Sequence, residues 1–336
     1  MIDFIKENYS FSYCEPTFVR SLNISYGVDK NFMFGAAISI MSVLNNNKNI
    51  NLVFHLFTDY IDDDFLTKSQ RMAEENNVTI NIYLIDSASF SDLPTSEVWS
   101  YATYFRLLSF DYLSSSISTV LYLDADVVCK GSLSEIYQLE FKDEFAAVIP
   151  DIEPMQAKSA ERLQWPQING HYFNAGVIYV NLAQWKICNF THKSLKLLRG
   201  ESKYGILKYL DQDVLNIIFN MNLIYLPEEL NCIYTIKNEL KTKNHQDYRN
   251  TISDTTKLIH YTGATKPWHE WARYPSAKFF QVAWKSSPWR DTPLKKAEKI
   301  VDFKKKYKHE LIQGNYLRAL STSIKYGIMK YFTGQK

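Results

Sequence analysis

The sequence lacks the features that mark several large classes of protein. Only four of its 336 residues are cysteines, and they are widely separated and form no CxxC pair. A cysteine zinc site or a disulfide framework is therefore not expected, and a reducing compartment is favoured. No run of about 18 apolar residues occurs, so no segment is predicted to span a membrane. The first ten residues have no basic region followed by an apolar run, so no signal peptide is predicted and a cytoplasmic location is expected.

The sequence also has no internal repeat and no low-complexity linker. Its length fits one large α/β domain, or one domain with a modest appendage. A hydrophobic content of 46% is enough to form a sizeable core. The formal net charge is only +2, but from Lys295 onward basic residues outnumber acidic ones roughly three to one. This local excess predicts an anionic surface as a partner.

Apolar patterns typical of strands and helices alternate along most of the chain. The predicted strands are 22–26, 52–58, 78–84, 119–128, 145–149, 177–181, 223–226 and 257–261, and the predicted helices are 38–44, 62–75, 99–112 and 214–220. This alternation predicts the α/β class, with a single Rossmann-like, mostly parallel sheet flanked by helices on both faces. Residues 1–20 are predicted to be an irregular N-terminal arm, 21–290 the α/β domain, and 291–336 a basic, amphipathic appendage of C-terminal helices.

The strongest local signal is the carboxylate pair of Asp124-Ala125-Asp126, which directly follows an apolar run. Open α/β sheets bind ligands at the carboxyl ends of their strands. Two carboxylates at that place can hold a hard divalent cation such as Mg²⁺ or Mn²⁺, which in turn binds phosphate oxygens. The alternative is a helix N-cap next to a solvated loop aspartate.

A second signal is the stretch HYTGATKPW at residues 260–268. A neutral imidazole of His260 can complete the ligand shell of a cation, and Lys266 can bind phosphate as a point charge. Gly263 would let the backbone approach a ligand closely. A histidine at a strand end is more often structural and a single lysine more often lies on the surface, but the compact cluster favours a binding site.

Two further motifs are weaker by themselves. Asn174, in Phe173-Asn174-Ala175-Gly176, enters the strand predicted at 177–181, and Asp211-Gln212-Asp213 opens the helix predicted at 214–220. Taken alone, Asp211 is best explained as a helix cap, and Asn174 could be a turn residue. Neither motif decides the function.

Together these motifs resemble glycosyltransferase family 8, over roughly residues 22–290. The resemblance implies a GT-A fold and a metal-dependent transfer of a sugar from a nucleotide-sugar donor, with retention of the anomeric configuration. It implies that Asp124, Asp126 and His260 bind the metal. It also implies that Lys266 contacts the donor diphosphate.

The resemblance assigns other residues to the donor or the reaction. Asp29 and Asn31 fall where the family contacts uracil. The further positions that it places at the donor are Arg106, Ala125, Asn174 and Gly263. Those that it places at the transferred sugar, as candidate catalytic residues, are Gln212, Asp211 and Asp151.

Retention of configuration requires either a double displacement through an enzyme nucleophile or attack of the acceptor on the front face of the sugar. Gln212 is a poor nucleophile, because an amide oxygen is much less nucleophilic than a carboxylate. Front-face attack is therefore favoured, with Asp151 or Asp211 left open as alternative nucleophiles.

More narrowly, the stretches YLDADVVCKG, YFNAGVIYVNL, DQDVLN and LIHYTGATKPWHEWARYPS resemble the enterobacterial lipopolysaccharide core hexosyltransferases. Within that group, the stretches DIEPMQAKSAERL and NCIYTIKNELK most resemble the members that transfer glucose from UDP-glucose to the outer core of lipopolysaccharide through an α-1,2 linkage. The alternative within the same pathway is an α-1,3-galactosyl- or glucosyltransferase. The non-enzyme alternative is a nucleotide-sugar-binding protein, which would not need the complete set of metal, phosphate and Gln212 residues.

The C-terminal residues suggest how such an enzyme would meet its acceptor. Lysines cluster between residues 295 and 308, and residues 317–332 mix apolar and basic side chains as interfacial helices do. We therefore expect peripheral association with the anionic inner face of the bacterial inner membrane. The alternative is an ordinary solvated helix packed on the protein body. No DNA- or RNA-binding motif accompanies the lysines, so no nucleic-acid partner is expected.

Overall fold

A computed structural model describes residues 4–14, 20–94, 100–201 and 203–333. In chain order the strands are β1 (Ile5–Ser12), β2 (Leu22–Val28), β3 (Leu52–Thr58), β4 (Thr79–Ile85), β5 (Thr119–Leu123), β6 (Val127–Cys129), β7 (Ala146–Pro150), β8 (Phe173–Asn181), β9 (Leu223–Tyr225), β10 (Cys232–Thr235) and β11 (Leu258–Thr262). The α-helices are α1 (Met33–Asn46), α2 (Asp63–Asn76), α3 (Phe105–Leu113), α4 (Ser134–Gln138), α5 (Glu153–Arg162), α6 (Leu182–Ile187), α7 (Phe190–Leu198), α8 (Leu210–Phe219), α9 (Lys278–Ser286), α10 (Ile300–Ile312) and α11 (Tyr316–Thr333).

Eight of these strands form one sheet in the order β1-β4-β3-β2-β5-β8-β7-β9, and the others form a small sheet in the order β10-β11-β6. In the large sheet β4, β3, β2 and β5 run parallel to one another, and β7 pairs in parallel with β9. Strand β8 is antiparallel to both of its neighbours, and β1 is antiparallel to β4. The expected α/β class with a mostly parallel sheet is confirmed.

Apolar side chains cover both faces of the large sheet. On β5, Leu121 and Leu123 belong to the cluster packed by α1, α2 and α9. Val120 and Tyr122 belong to the cluster packed by α3, α6, α7 and α8. Because side chains alternate between the two faces of a strand, a strand that is buried on both sides must be apolar at every position. The sequence of β5 therefore reflects its place in the middle of the sheet.

The run at 119–128, which is predicted to be a single strand, forms two strands. It divides into β5, in the large sheet between β2 and β8, and β6, which is antiparallel to β11 in the small sheet. Asp124 and Asp126 lie where the chain crosses from one sheet to the other. Both halves are apolar because both are buried, so hydropathy alone did not reveal the break.

The prediction of an irregular N-terminal arm is wrong for Ile5–Ser12, which forms the edge strand β1. Tyr9 and Phe11 of β1 pack against the core, while Ser10 between them faces solvent. Lys6 pairs with Asp86 at 3.0 Å. A half-buried edge strand with charged residues gives only a weak alternating pattern. Residues 1–3 and 15–19 of the predicted arm lie outside the described part of the chain.

Three helices also differ from their predicted bounds, and one of them, α8, begins at Leu210 instead of 214. Helix α1 begins at Met33, five residues before the predicted start. The prediction began too late because Gly35 and the preceding turn weaken the helical pattern. The helix predicted at 99–112 begins as a 3₁₀ turn at Tyr101–Tyr104 and continues as α3. Its first residue, Trp99, lies outside the described residues. Among those described, no helix is both long and apolar enough to cross a membrane.

Candidate active site

Hydrogen bonds of the main chain hold the two aspartates between the two sheets. The Asp124 N–H donates to the carbonyl of Gly176 at 2.8 Å, and the Asp124 carbonyl accepts from Val127 N–H at 3.0 Å. The Asp126 carbonyl accepts from Tyr261 N–H at 2.9 Å. The entry to β6 is thus tied to β8 on one side and to β11 on the other.

His260, on β11, faces both carboxylates. Its Nε2 atom lies 3.2 Å from Oδ1 of Asp126 and 3.8 Å from Oδ2 of Asp124. One ligand atom from each of the three residues lies within 4.8 Å of those from the other two. Two carboxylates and an imidazole form a donor set suited to a divalent cation. These three residues could therefore hold a metal ion.

A buried asparagine that sequence reasoning missed sets the tautomer of this imidazole. Asn174 Oδ1 accepts from the Gly176 N–H at 3.0 Å and from Asn231 Nδ2 at 3.1 Å. The other side-chain atom of Asn231, Oδ1, lies 3.1 Å from Nδ1 of His260. Because an amide oxygen only accepts, Nδ1 of His260 carries a hydrogen, and in the neutral ring Nε2 is then left with its lone pair for a cation. A single asparagine before a short strand offers no motif that could have revealed this role.

Lys266 lies on the same acidic cluster. Its Nζ atom forms an ion pair with Asp126 and donates to the carbonyl of Tyr261 at 3.0 Å. Burial raises the pKa of Asp126, but the charges of Lys266 and His260 outweigh it and hold that pKa well below its usual range. Burial lowers the pKa of His260, yet the neighbouring carboxylates outweigh this effect and the pKa is raised. The cluster therefore favours bound positive charge.

Arg106, on α3, connects the metal cluster to α8. It is 6% exposed, and its guanidinium donates to Oδ1 of Asp124 at 2.8 Å and to the carbonyl of Ala175. Its Nε atom lies 2.7 Å from Oδ2 of Asp211, an ion pair in which the N–H does not point at the oxygen. The ring of Tyr122 covers the guanidinium at 4.4 Å. One cation thus neutralises the buried carboxylate of Asp211 and the half-buried carboxylate of Asp124.

The interpretation of Asp211 as a helix cap is wrong, since the N-cap of α8 is Tyr209. Asp211 lies in the first turn with its side chain pointing inward, where it pairs with Arg106 and accepts from the Thr103 hydroxyl at 2.6 Å. Burial raises the pKa of Asp211, and Arg106 opposes that rise. Both of its oxygens are occupied by protein groups.

Gln212, the next residue, lies between Asp151 and β8. Its Nε2 donates to Oδ2 of Asp151 and to the hydroxyl of Tyr172, each at 3.1 Å. Its Oε1 accepts from the Ala175 N–H at 3.0 Å and from Asn174 Nδ2 at 3.4 Å. The structure thus brings together Gln212, Asp151 and Asn174, as the sequence predicts, and fixes which end of the amide faces which partner.

The predicted uracil contacts lie in the turn between β2 and α1. Asp29 accepts from the Asn31 N–H and from the Ser100 hydroxyl, both at 2.9 Å. In the same turn, the ring of Phe32 packs edge-on against Trp268 at 5.8 Å. The turn therefore adjoins the loop that carries Lys266, although neither Asp29 nor Asn31 touches the metal cluster.

Two small residues in the predicted set have steric roles. Gly263 has a φ of +83°, and a Cβ there would lie 2.9 Å from Oγ1 of Thr235. Ala125, between the two aspartates, is 6% exposed, and a Cβ added at Gly35 would lie 2.9 Å from its carbonyl oxygen. The first contact leaves no room for a side chain at Gly263, and the second shows that α1 packs closely on the backbone between the two aspartates.

Comparisons with known proteins agree with this architecture. The family model "Glycosyl transferase family 8" matches residues 23–272, and the model "Glycosyl transferase family 8 C-terminal" matches residues 274–330. The solved structure of galactosyltransferase LgtC in complex with donor and acceptor sugar analogs is similar, with a TM-score of 0.64 and 22% identity over 80% of this chain and 99% of that one. The fold is therefore the GT-A fold of glycosyltransferases.

Sequence relatives are considerably closer. A lipopolysaccharide 1,2-glucosyltransferase of Escherichia coli is 49% identical over 311 residues, 93% of this chain and 92% of the relative. The protein of the same name from Escherichia coli strain K12 is 44% identical over 98% of this chain and 95% of its own length. Lipopolysaccharide 1,3-galactosyltransferase of Salmonella typhimurium is 35% identical over 96% and 95% of the two chains. The chain belongs to glycosyl transferase family 8.

Gly176 provides a test of the metal cluster that changes none of its ligands. A Cβ at this position would lie 2.2 Å from Cε1 of His260 and 2.9 Å from Oδ2 of Asp124. We expect Gly176→Ala to weaken Mn²⁺ binding by about tenfold or more, since shifted ligands typically cost that much affinity. Electron paramagnetic resonance of free Mn²⁺ measures this. Gly327→Ala is the matched control, because a Cβ there meets nothing within 4 Å. Equal affinities for the two variants would show that His260 and Asp124 do not bind the ion.

The orienting role of Asn231 can be tested in the same titration. Asn231→Ala removes the acceptor for Nδ1 of His260, so the ring is free to take the other tautomer or to rotate. We expect Mn²⁺ affinity to fall by roughly 10- to 100-fold, the usual cost of losing a partner of a ligating histidine. Asn222→Ala, at an exposed asparagine that donates to the Asp143 carbonyl, should leave affinity unchanged. Unchanged affinity in Asn231→Ala would remove this residue from the site.

Proposed function

We propose that the protein is a retaining, metal-dependent hexosyltransferase that transfers glucose from UDP-glucose to the outer core of lipopolysaccharide through an α-1,2 linkage. The observation that carries the proposal is the cluster of Asp124, Asp126 and His260, in a family 8 chain that is 49% and 44% identical to two lipopolysaccharide 1,2-glucosyltransferases. The relative named as a 1,3-galactosyltransferase, at 35% identity, supports the alternative donor and linkage less strongly.

Asp124, Asp126 and His260 would hold one Mg²⁺ or Mn²⁺. Bound there, the ion would act as a Lewis acid that neutralises charge growing on the leaving diphosphate. The Nζ of Lys266, in its ion pair with Asp126, supplies a second positive charge at the same place. We assign Lys266 to the diphosphate on this ground, and Asp29 and Asn31 to the nucleoside end of the donor.

The contacts of the nearby carboxylates favour front-face attack over double displacement. Asp211 pairs with Arg106, and Asp151 accepts from Ile152 N–H at 2.8 Å and from Gln212. Asp213 is fully buried, where it accepts from Arg162 and Tyr172. Each would have to give up protein partners before it could attack the sugar, so we assign them to positioning.

In the proposed reaction, the bond from the anomeric carbon to the diphosphate breaks as a bond to the acceptor hydroxyl oxygen forms on the same face. The hydroxyl proton passes to a phosphate oxygen of the leaving UDP. Gln212 is held by Asp151, Tyr172 and Ala175 beside the site, where we propose that it contacts the transferred sugar. Positioning and fixed dipoles, rather than covalent catalysis, would supply the rate enhancement.

We further propose that α11 binds the inner face of the bacterial inner membrane. Its large apolar side chains at 317, 320, 324, 328 and 331 are each more than half exposed and recur with helical spacing, which forms one apolar stripe. The lysines of α10 add basic charge next to this helix. Lys306 is an exception, because it pairs with Glu270 and is turned toward the protein.

Donor choice and metal dependence can be measured in one assay. Transfer to a truncated lipopolysaccharide acceptor is followed with UDP-glucose and UDP-galactose in turn, with Mn²⁺ or with EDTA. We expect transfer from UDP-glucose alone, its loss in EDTA, and a decrease of at least about 100-fold in Asp126→Asn, since one metal ligand and the partner of Lys266 are both lost. Asp143→Asn, at an exposed aspartate, should retain full activity. Transfer from UDP-galactose would overturn the donor assignment, and full activity in EDTA would overturn the metal dependence.

Membrane association predicts an effect of a single exposed isoleucine. Ile324, in the middle of the stripe, is 55% exposed, and Ile187 at the end of α6 is 76% exposed. We expect Ile324→Ser to weaken co-sedimentation with anionic vesicles about tenfold, because burying such a side chain contributes about 1.5–3 kcal/mol. Ile187→Ser is the matched control and should bind as wild type does. If both variants bind alike, α11 is not the membrane contact, and a change of oligomeric state in Ile324→Ser would identify the stripe as a protein interface.

A further inference from the structure

Outside the active site, a cavity of about 410 Å³ lies between α10, α11 and residues 270–273. We call it the α10–α11 cavity. Its volume falls in the range of small-molecule sites. Of its lining, the residues used below are Trp271, Arg273, Lys306, Glu310, Arg318 and Lys325.

Two polar groups in the wall of the cavity have atoms without partners. Trp271 is 2% exposed and Glu310 is 6% exposed. Among the residues that the structure describes, neither Nε1 of Trp271 nor Oε2 of Glu310 has a hydrogen-bond partner. Since buried polar atoms in proteins are nearly always hydrogen-bonded, water or a ligand is left to pair with these two. A single ligand that paired with both would carry an acceptor for the tryptophan N–H and a hydroxyl or amine donor for the carboxylate.

The charges around the cavity favour an anion. Lys306 pairs with Glu270 and lies 4.0 Å from Oε1 of Glu310, so one lysine is shared by both acidic residues. Three basic residues of the lining form no ion pair with a described residue: Arg273, Arg318 and Lys325. Arg273 Nε donates a hydrogen bond to the backbone carbonyl of Glu270 at 3.0 Å. Four cationic side chains face two acidic ones, an excess of two positive charges. A phosphate ester matches that excess, and hydroxyls on the same ligand match Glu310.

The cavity lies directly beside the apolar stripe of α11. Arg318 follows Leu317 by one position and Lys325 follows Ile324 by one, which places each basic side chain about 100° around the helix from a stripe residue. Basic groups next to a membrane-buried stripe lie at the level of lipid headgroups. A ligand in the cavity would therefore have its polar end at Trp271 and its apolar end along the stripe.

We propose that the α10–α11 cavity binds the phosphorylated, hydroxyl-bearing headgroup of an anionic phospholipid whose acyl chains lie along the stripe. This rests on the membrane association proposed above and adds to it a specific headgroup site. A soluble phosphorylated sugar has the same polar chemistry, but it has no apolar part that could contact the neighbouring stripe.

The test uses lipid that is too short to form a bilayer. Dihexanoylphosphatidylglycerol, kept below its micelle concentration, is titrated into the full-length protein and binding is followed by calorimetry. We expect saturable binding that is at least fivefold weaker in Lys325→Gln and unchanged in Lys308→Gln. The two substitutions remove the same charge from exposed lysines, one in the cavity wall and one on α10 outside it. Arg318→Gln should repeat the effect of Lys325→Gln, and thermal melting checks that all variants are folded.

Other ligands define the outcomes that overturn the assignment. Equal binding of dihexanoylphosphatidylcholine would show that no anionic headgroup is selected. Equal binding of glycerol 1-phosphate would show that the cavity takes a soluble phosphate ester, and equal affinities for Lys325→Gln and Lys308→Gln would place the lipid elsewhere. Vesicle co-sedimentation separates this proposal from the previous one. If wild-type protein does not bind anionic vesicles, membrane association itself is contradicted. If it binds them normally but Lys325→Gln does not weaken binding of the short lipid, only the headgroup site in the cavity is contradicted.

Discussion

The active site depends on one buried guanidinium. Arg106 reaches Asp124 beyond β5, Asp211 on α8 and the carbonyl of Ala175 on β8. Without it, the buried Asp211 would lie close to the half-buried Asp124 with no compensating charge between them, and an unpaired buried carboxylate is strongly destabilising. Because the guanidinium is planar and rigid, its contacts also fix the distance between the metal cluster and the first turn of α8. Gln212, one residue further along that turn, thereby takes its position from the same ion pairs that hold Asp124.

The chemistry of the candidate site can be predicted from the sequence wherever the residues that act together are close in the chain. Asp124 and Asp126 follow a buried strand, and Lys266 lies in the loop directly after the strand of His260, so each half of the cluster carries its own pattern. What joins the halves is the small sheet, in which β6 pairs with β11 across some 130 residues of sequence. A pairing between distant strands has no local signal. The division of the run 119–128 into two strands was missed for that reason.

The same limit explains the residues that sequence reasoning did not find or misassigned. Asn231 acts only because its place just before β10 puts it beside His260 and Asn174, and an isolated asparagine has no distinctive neighbours. Asp211 has the local signature of a helix cap, but Arg106 and Thr103 draw its side chain inward. The tertiary ion pair outweighs the local preference here, because an Asp211 side chain turned outward to cap the helix would leave the buried Arg106 without one of its carboxylate partners.

The C-terminal segment is joined to the candidate site by contacts that bear on how a membrane-bound acceptor would be met. Lys295 pairs through its backbone with Trp268 and Glu270, and its Nζ lies 3.3 Å from Oδ1 of Asn31. On α10, His309 is 1% exposed and lies between Tyr274 and Thr265. Thr265 belongs to the loop that carries Lys266. Burial lowers the pKa of His309 to about 4, so the ring stays neutral at physiological pH and adds no charge beside Lys266. Helix α10, which packs beside the proposed membrane helix α11, thus also packs directly on the loop proposed to bind the donor. Membrane binding by α11 would therefore set the position of the donor site relative to the bilayer.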